Sequence, residues 1–145
     1  MFDRYGDITK FIIDPDKLKV THDKLVYISS EDDYDIAVDL ERCFCSFEEL
    51  KPFAALVVER LNELDNTVQR FDNKQYGFSP LRETHYYLNL ISFPKPCFVT
   101  LDYVCTDVNS QFDVLFEYKN ERFYLREFGL EKDIPDNWEE NIKKT

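Results

Sequence analysis

Arginine and tyrosine side chains alternate at every second position near residue 124, a spacing that could build a recognition surface. Arg122, Tyr124 and Arg126 are two residues apart, as are side chains on one face of a β-strand. Asp102 and Glu117 hold corresponding positions in the two preceding segments. Arginine and tyrosine are enriched at the centres of protein–protein interfaces. The chemistry predicted for this face is therefore binding through charged and aromatic contacts.

Apolar side chains on the same strand faces complete the predicted partner-binding set. The set consists of Phe98, Asp102, Leu115, Glu117, Arg122, Tyr124, Arg126 and Phe128. The face carries too many aromatic groups for an ordinary solvated sheet surface and too many charges for a second core. A purely structural ladder of cross-strand pairs is the alternative interpretation, and such pairs contribute only about 0.2–1 kcal/mol each.

Three consecutive strands between residues 97 and 128 must position these side chains. Their apolar positions alternate on the opposite face, at 97, 99, 101, 103 and 105, then 112, 114, 116 and 118, then 123 and 125. A two-residue turn at positions 120 and 121 places Phe116 opposite Leu125 and Leu115 opposite Arg126. A slip of one residue would bury arginines, so the pattern itself selects this register.

A long amphipathic helix is predicted to cover the apolar face of the strands. Ser46 and Glu49 form a capping-box sequence at its start. Apolar residues then follow at helical spacing, at positions 50, 53, 54, 57, 58, 61, 64, 68 and 71. Pro52 predicts a bend, or a separate first turn with the regular helix beginning near the proline.

The rest of the chain adds a hairpin and several shorter elements. Residues 24–30 and 34–40 predict a β-hairpin, and residues 8–13 a short strand. Residues 81–91 suit either a short helix or a strand, and residues 136–139 read as the start of a short helix carrying Trp138, which could dock across the outward face of the sheet. The predicted fold is α+β, one domain over residues 1–145, with an antiparallel sheet of N-terminal hairpin and C-terminal three-strand meander packed on one long amphipathic helix.

Charge and composition favour some classes of partner and compartment over others. The formal net charge of −11 disfavours nucleic acid and anionic membrane and favours a basic protein partner. No apolar stretch approaches the roughly 20 residues of a membrane span, and no signal peptide opens the chain, so a cytoplasmic location is expected. The four cysteines lack zinc-site spacing, which predicts free thiols.

Motifs of catalysis or cofactor binding do not emerge, and we predict neither a metal site nor a cofactor. Three glycines, at positions 6, 77 and 129, cannot build a phosphate loop. The acidic turn at residues 31–35 lacks the glycine and the closing glutamate of a calcium loop. His85 could act as an acid or base in a pocket with Tyr76, Tyr86 and Tyr87, which leaves an enzyme or small-ligand-binding protein as an alternative.

The layout of the whole chain carries one resemblance. A hairpin, a long amphipathic helix, a less regular segment and a meander ending in FYLREFG (residues 123–129) and DIPDNW (residues 133–138) look like small acidic cytoplasmic bacterial proteins of unknown function, including immunity proteins of polymorphic toxin systems. The resemblance implies an acidic, non-enzymatic single domain that blocks a toxin by surface complementarity. A structural or regulatory subunit that self-associates, for example as a homodimer, remains a second interpretation.

Overall fold

The structure of the protein, a computed structural model, describes residues 25–29, 35–76, 86–105 and 110–138. Its elements in chain order are β1 (Leu25–Ser29), β2 (Asp35–Asp39), a short 3-10 helix (Leu40–Arg42), α1 (Phe47–Glu59), α2 (Leu61–Tyr76), β3 (Tyr86–Ser92), β4 (Phe98–Cys105), β5 (Ser110–Lys119) and β6 (Arg122–Phe128). The α+β class is as predicted, but the arrangement of the sheet and of the helix differs from the prediction.

The strands of the described residues form one six-stranded sheet in the order β1-β2-β3-β4-β5-β6. Strands β2 and β3 pair in parallel, with Ala37 opposite Leu90, whereas the other neighbours pair antiparallel. The prediction of an antiparallel sheet is therefore wrong, because the sheet is mixed. The physical reason is the connection: the helices carry the chain back across one face, and such a crossover returns it to the end of the sheet from which it left.

The prediction of one long helix is also wrong, because the helical region is divided at Arg60. Helix α1 begins at Phe47, where the Ser46 hydroxyl accepts a hydrogen bond from the Glu49 backbone N–H at 3.4 Å, and it runs through Pro52. The Arg60 N–H is shared among the carbonyls of three preceding residues, at φ −104° and ψ 14°. Helix α2 follows at once, so the apolar stripe continues across the division.

The core lies between these helices and one face of the sheet. Its members include nearly the whole predicted stripe, together with the predicted inward face of the strands: Leu50, Ala54, Val57, Val58, Leu61, Leu64, Val68 and Phe71 from the helices, and Val99, Leu101, Tyr103, Val114, Phe116 and Leu125 from the strands. The hydroxyl of buried Tyr103 donates a 2.6 Å hydrogen bond to Asp65 of α2, which satisfies both polar groups in the interior. We call the opposite side of the sheet, away from α1 and α2, the outer face.

The antiparallel strand pairs of the two predicted hairpins are present. Strand β1 pairs with β2, and β5 pairs with β6 with Phe116 opposite Leu125, as predicted. Asn120 and Glu121 both have positive φ, 52° and 63°, which is the backbone of the two-residue turn expected there. Residues 86–92 form a strand, while the predicted strand at 8–13 lies outside the described residues. Neither described helix is long and apolar enough to cross a membrane.

Candidate functional site

Two carboxylates face each other across neighbouring strands on the outer face. Asp102 of β4 and Asp113 of β5 are direct cross-strand partners, with Thr100 opposite Leu115 two residues along. Both belong to the outer face because alternation directs their neighbours Leu101, Tyr103 and Val114 into the core. Like charges directly opposite one another destabilise a sheet. We refer to Asp102 and Asp113 as the carboxyl pair.

A single guanidinium bridges the carboxyl pair. Arg42 ends the short 3-10 helix that follows β2, and Asp39 caps that helix by accepting from the Glu41 backbone N–H at 3.1 Å. The Nη1 atom of Arg42 lies 3.6 Å from Asp102 Oδ2, and the Nη2 atom of Arg42 lies 3.6 Å from Asp113 Oδ2. These distances exceed the 2.7–2.9 Å typical of charge-assisted hydrogen bonds. Arg42 therefore offsets part of the negative charge of the pair, from distances longer than those of a close charge-assisted hydrogen bond.

Asp102 is the chemically unusual member of the pair. The residue is 5 % exposed, and its Oδ1 atom is buried without a hydrogen-bond partner. Burial, and then the negative charge of Asp113, raise the pKa of the Asp102 carboxyl to about 6, although Arg42 acts in the opposite direction. A carboxylate in this condition is an acceptor whose hydrogen-bonding capacity is incompletely used. Perturbed carboxylates of this kind cluster at functional sites.

An open groove of about 400 Å³ adjoins the carboxyl pair. The groove is lined by Arg42, Pro94, Lys95, Thr100, Asp113, Leu115, Glu127 and Lys132. Two of its charges are already engaged, because Lys132 Nζ lies 3.0 Å from Glu127 Oε1. Asp113 keeps 51 % of its side chain exposed, so it is the member of the carboxyl pair that the solvent reaches.

The predicted arginine and tyrosine centre lies further along the outer face, and its side chains contact one another. Cationic groups of Lys119, Arg122 and Arg126 lie 5.2–5.6 Å from the centroid of the Tyr124 ring, and Tyr124 is 8 % exposed. Arg126 donates to Glu117 Oε1 from Nε at 2.9 Å and from Nη2 at 2.8 Å. These side chains pair with one another, as the alternative interpretation of a structural ladder expects.

The segment after β6 extends this ion-pair network. Asp136 contacts Arg126 Nη1, and its Oδ2 lies 2.8 Å from Lys119 Nζ. Hydrogen bonds from Lys119 and Arg126 lower the pKa of the Asp136 carboxyl. Burial alone would lower the pKa of Arg126, but its hydrogen bonds with Asp136 and Glu117 raise it. The network fixes the segment against the edge of the sheet, where the Ile134 N–H donates to the Arg126 carbonyl at 2.9 Å.

Two placements on the outer face were predicted wrongly, and one β-bulge causes both. The register of β5 and β6 shifts between Leu115 and Phe116, so that Leu115 lies opposite Glu127 instead of Arg126. The extra residue on β6 turns Phe128 to the core, where its ring lies 4.8 Å from that of Phe71. Trp138 packs against Phe71 as well, at 5.0 Å between centroids, so it lies on the helix side instead of across the outer face.

The structure separates the remaining predicted site residues into two groups and leaves Phe98 apart from both. Asp102 and Leu115 lie by the groove, whereas Glu117, Arg122, Tyr124 and Arg126 form the ion-pair and aromatic network. Phe98 is half-buried beneath Lys95, whose Nζ lies 4.2 Å from its ring centroid. Sequence reasoning missed Arg42, because its contact with the carboxyl pair depends on the parallel pairing of β2 with β3. The alternation of β5 already places Asp113 on the outer face, but its pairing with Asp102 was not identified from the sequence.

The other candidate residues contribute less to the described structure. His85, and the acidic turn at residues 31–33, lie outside the described residues. Within the described part of the chain, no group of three or more His, Cys, Asp or Glu side chains is arranged to hold a metal ion. The arrangement at the carboxyl pair suits recognition of a hydrogen-bond donor that carries positive charge. The chain matches no protein-family model, no curated protein and no solved structure.

Proposed function

We propose that this chain is a non-enzymatic binding protein that docks a basic protein partner on the outer face of its sheet and thereby inhibits it, in the manner of an immunity protein. The observation that carries the proposal is the carboxyl pair, in which a buried Asp102 oxygen has no hydrogen-bond partner beside an open groove. A basic group supplied by a partner would satisfy such a site.

The overall charge supports the same class of partner. The chain has a formal net charge of −11, so a basic protein would be drawn to it over distances of about a Debye length, roughly 8 Å at physiological salt. The outer face itself carries both signs, since Arg42, Lys95 and Lys132 line the groove together with Asp113 and Glu127. Long-range attraction therefore comes from the whole chain, and local specificity comes from the arrangement of charges around the groove.

The test compares the two sides of the molecule with the same substitution. The product of the gene next to this one is the first candidate partner, and it is purified and titrated against the wild-type chain by calorimetry. Leu115→Arg places a bulky cation in the groove, whereas Ala55→Arg places the same side chain on the exposed surface of α1. Melting temperatures of both variants verify that the fold is retained.

The proposal expects Leu115→Arg to abolish binding and inhibition of the partner, and Ala55→Arg to leave both within a factor of about three of wild type, as for a residue outside an interface. Equal losses in the two variants would place the interface elsewhere or make the attraction purely long-range. A partner that binds the chain but loses no activity would contradict inhibition while leaving the docking surface in place.

A further inference from the structure

We infer that the carboxyl pair is a guanidinium-binding subsite, at which an arginine side chain of the partner replaces Arg42. The inference rests on the proposed function, since it names the group that the outer face would recognise. It concerns Asp102, Asp113 and the groove beside them, and it does not involve the network around Tyr124.

The geometry of Arg42 is the first argument, because this side chain already demonstrates the shape that fits. One nitrogen of its guanidinium faces Asp102 and another faces Asp113, each at 3.6 Å. A planar guanidinium has N–H donors on separate nitrogens and can bind two carboxylates at once, whereas the ammonium of lysine is a single point charge. The subsite is thus matched to a guanidinium that spans two adjacent strands.

The loose fit of Arg42 is the second argument. Its side chain is 44 % exposed, and its nitrogens lie 3.6 Å from the carboxylate oxygens, further than in a close charge-assisted hydrogen bond. The backbone of Arg42 is held in the 3-10 helix, which Asp39 caps and in which the Cys43 N–H donates to the Leu40 carbonyl at 3.2 Å. An arginine from a partner has no such tether, so it can approach the carboxylates more closely.

The unpartnered oxygen of Asp102 is the third and independent argument. Asp102 is more than nine-tenths buried, and its Oδ1 accepts no hydrogen bond. Its cross-strand neighbour Asp113 is half exposed to solvent. A buried acceptor without a donor costs free energy that a new donor recovers. Thr100, on the same strand face as Asp102, lines the groove and adds a hydroxyl that can accept from a guanidinium.

Arg42 acts in this scheme as an internal competitor. While Arg42 occupies the carboxyl pair, only a fraction of the molecules offers the pair to an external arginine, and the apparent affinity is reduced by that fraction. Removing the Arg42 charge should therefore tighten binding of an arginine ligand. An acidic patch that attracts cations without a defined subsite would also bind more tightly, but it would do so for every cation alike.

The experiment uses a short acetylated and amidated peptide, Arg-Gly-Arg-Gly-Arg, titrated into the full chain at physiological salt and followed by backbone amide chemical shifts. The matched control peptide has citrulline, the neutral isostere of arginine, at the three positions. A third peptide with lysine tests the preference for a fork over a point charge. The protein variants are Asp113→Asn, Arg42→Gln and, as a control for the negative charge that Asp113→Asn removes, Glu59→Gln on the exposed surface of α1.

The inference expects shifts at Thr100, Asp102 and Asp113 with the arginine peptide, weaker shifts with lysine and none with citrulline. Asp113→Asn should weaken the arginine peptide at least fivefold and Arg42→Gln should tighten it, whereas Glu59→Gln should change it less than twofold. Asp113 is half exposed, so we expect Asp113→Asn to keep the fold. The test is therefore decisive even if Arg42→Gln fails to fold.

Equal weakening by Asp113→Asn and Glu59→Gln would overturn the inference, as would equal binding of arginine and lysine peptides. These outcomes are separate from the fate of the proposed function. If Leu115→Arg abolishes partner binding while Asp113→Asn changes the binding of neither partner nor peptide, the outer face is the interface but the carboxyl pair is not a guanidinium-binding subsite. If the peptide binds as expected and Leu115→Arg leaves the partner bound, the subsite exists and the proposed interface is wrong.

Discussion

Replacing Asp102 by asparagine should make the protein more stable at neutral pH, although it removes one partner of an ion pair. Asparagine keeps the shape of the side chain and cannot be charged. In the folded protein, burial first and the charge of Asp113 second raise the pKa of Asp102 to about 6, from the 3.8 that is ordinary for an aspartate. The opposing attraction of Arg42 is already contained in that pKa.

The sign and size of the effect follow from the two pKa values. A carboxyl whose pKa is raised by folding binds its proton more tightly in the folded state, so its contribution to stability becomes less favourable as pH rises from 3.8 to 6. The full difference corresponds to about 3 kcal/mol above pH 7, and to only about 0.5 kcal/mol at pH 4, where the carboxyl is protonated in the folded chain and still about two-fifths protonated in the unfolded chain. Asp102→Asn should therefore stabilise by up to about 3 kcal/mol at pH 8 and by little at pH 4.

The assay is urea unfolding of the wild type and the variant at pH 4, 6 and 8, with unchanged slopes as a check that the compactness of the unfolded state is the same. Glu59→Gln, on the exposed surface of α1, controls for the loss of one negative charge from an acidic chain. A difference between wild type and Asp102→Asn that is the same at every pH would refute the reasoning. So would a variant that is less stable than wild type at pH 8.

The remaining predictions test the core, the ion-pair network, the thiols and the linkage between binding and protonation. Leu61→Ala should lower the free energy of unfolding by about 2–5 kcal/mol in urea, while Glu59→Ala changes it by less than about 0.5 kcal/mol. Arg126→Ala should cost about 1–3 kcal/mol in the same assay, because Glu117 loses its charged hydrogen bonds; no loss would make the network dispensable for folding. Native mass spectrometry should find four reduced cysteines and no zinc, and a mass lower by four hydrogens would contradict this. Affinity for the arginine peptide should fall about tenfold between pH 7.5 and pH 5 as Asp102 takes up a proton, whereas a flat profile would exclude Asp102 from the subsite.

The sequence predicted most reliably what depends on local repetition. The inward face of the strands, the apolar stripe of the helices and the hairpin at Asn120 and Glu121 all follow from side-chain periods or turn geometry that a few neighbouring residues determine. The bulge after Leu125 has no such local mark, because alternation on β6 reads as an unbroken strand. A single inserted residue was enough to transfer Phe128 from the predicted outer face to the core.

Features that depend on which strands become neighbours could not be read from periodicity. The helices α1 and α2 connect β2 to β3 across one face, and the parallel pairing that results brings the residues after β2 towards β4 and β5. Arg42 lies more than fifty residues from either aspartate in the chain, so no spacing rule connects them. The candidate site is consequently a product of topology, whereas the predicted arginine and tyrosine centre followed from local alternation.

The carboxyl pair links the stability of the chain to its proposed binding. In the free protein, ionised Asp102 lacks a donor on one oxygen and is held 3.6 Å from the nearest cation, so the folded state is less stable than the same fold with a neutral side chain there. A guanidinium that closes to hydrogen-bonding distance stabilises the ionised form and so lowers the pKa of Asp102 in the complex. The free energy lost to this carboxylate in the unbound protein is then recovered on binding, up to the roughly 3 kcal/mol that the raised pKa represents. A neutral ligand can donate a hydrogen bond but cannot add the Coulomb attraction, so the same charge that weakens the fold favours a cationic ligand over a neutral one.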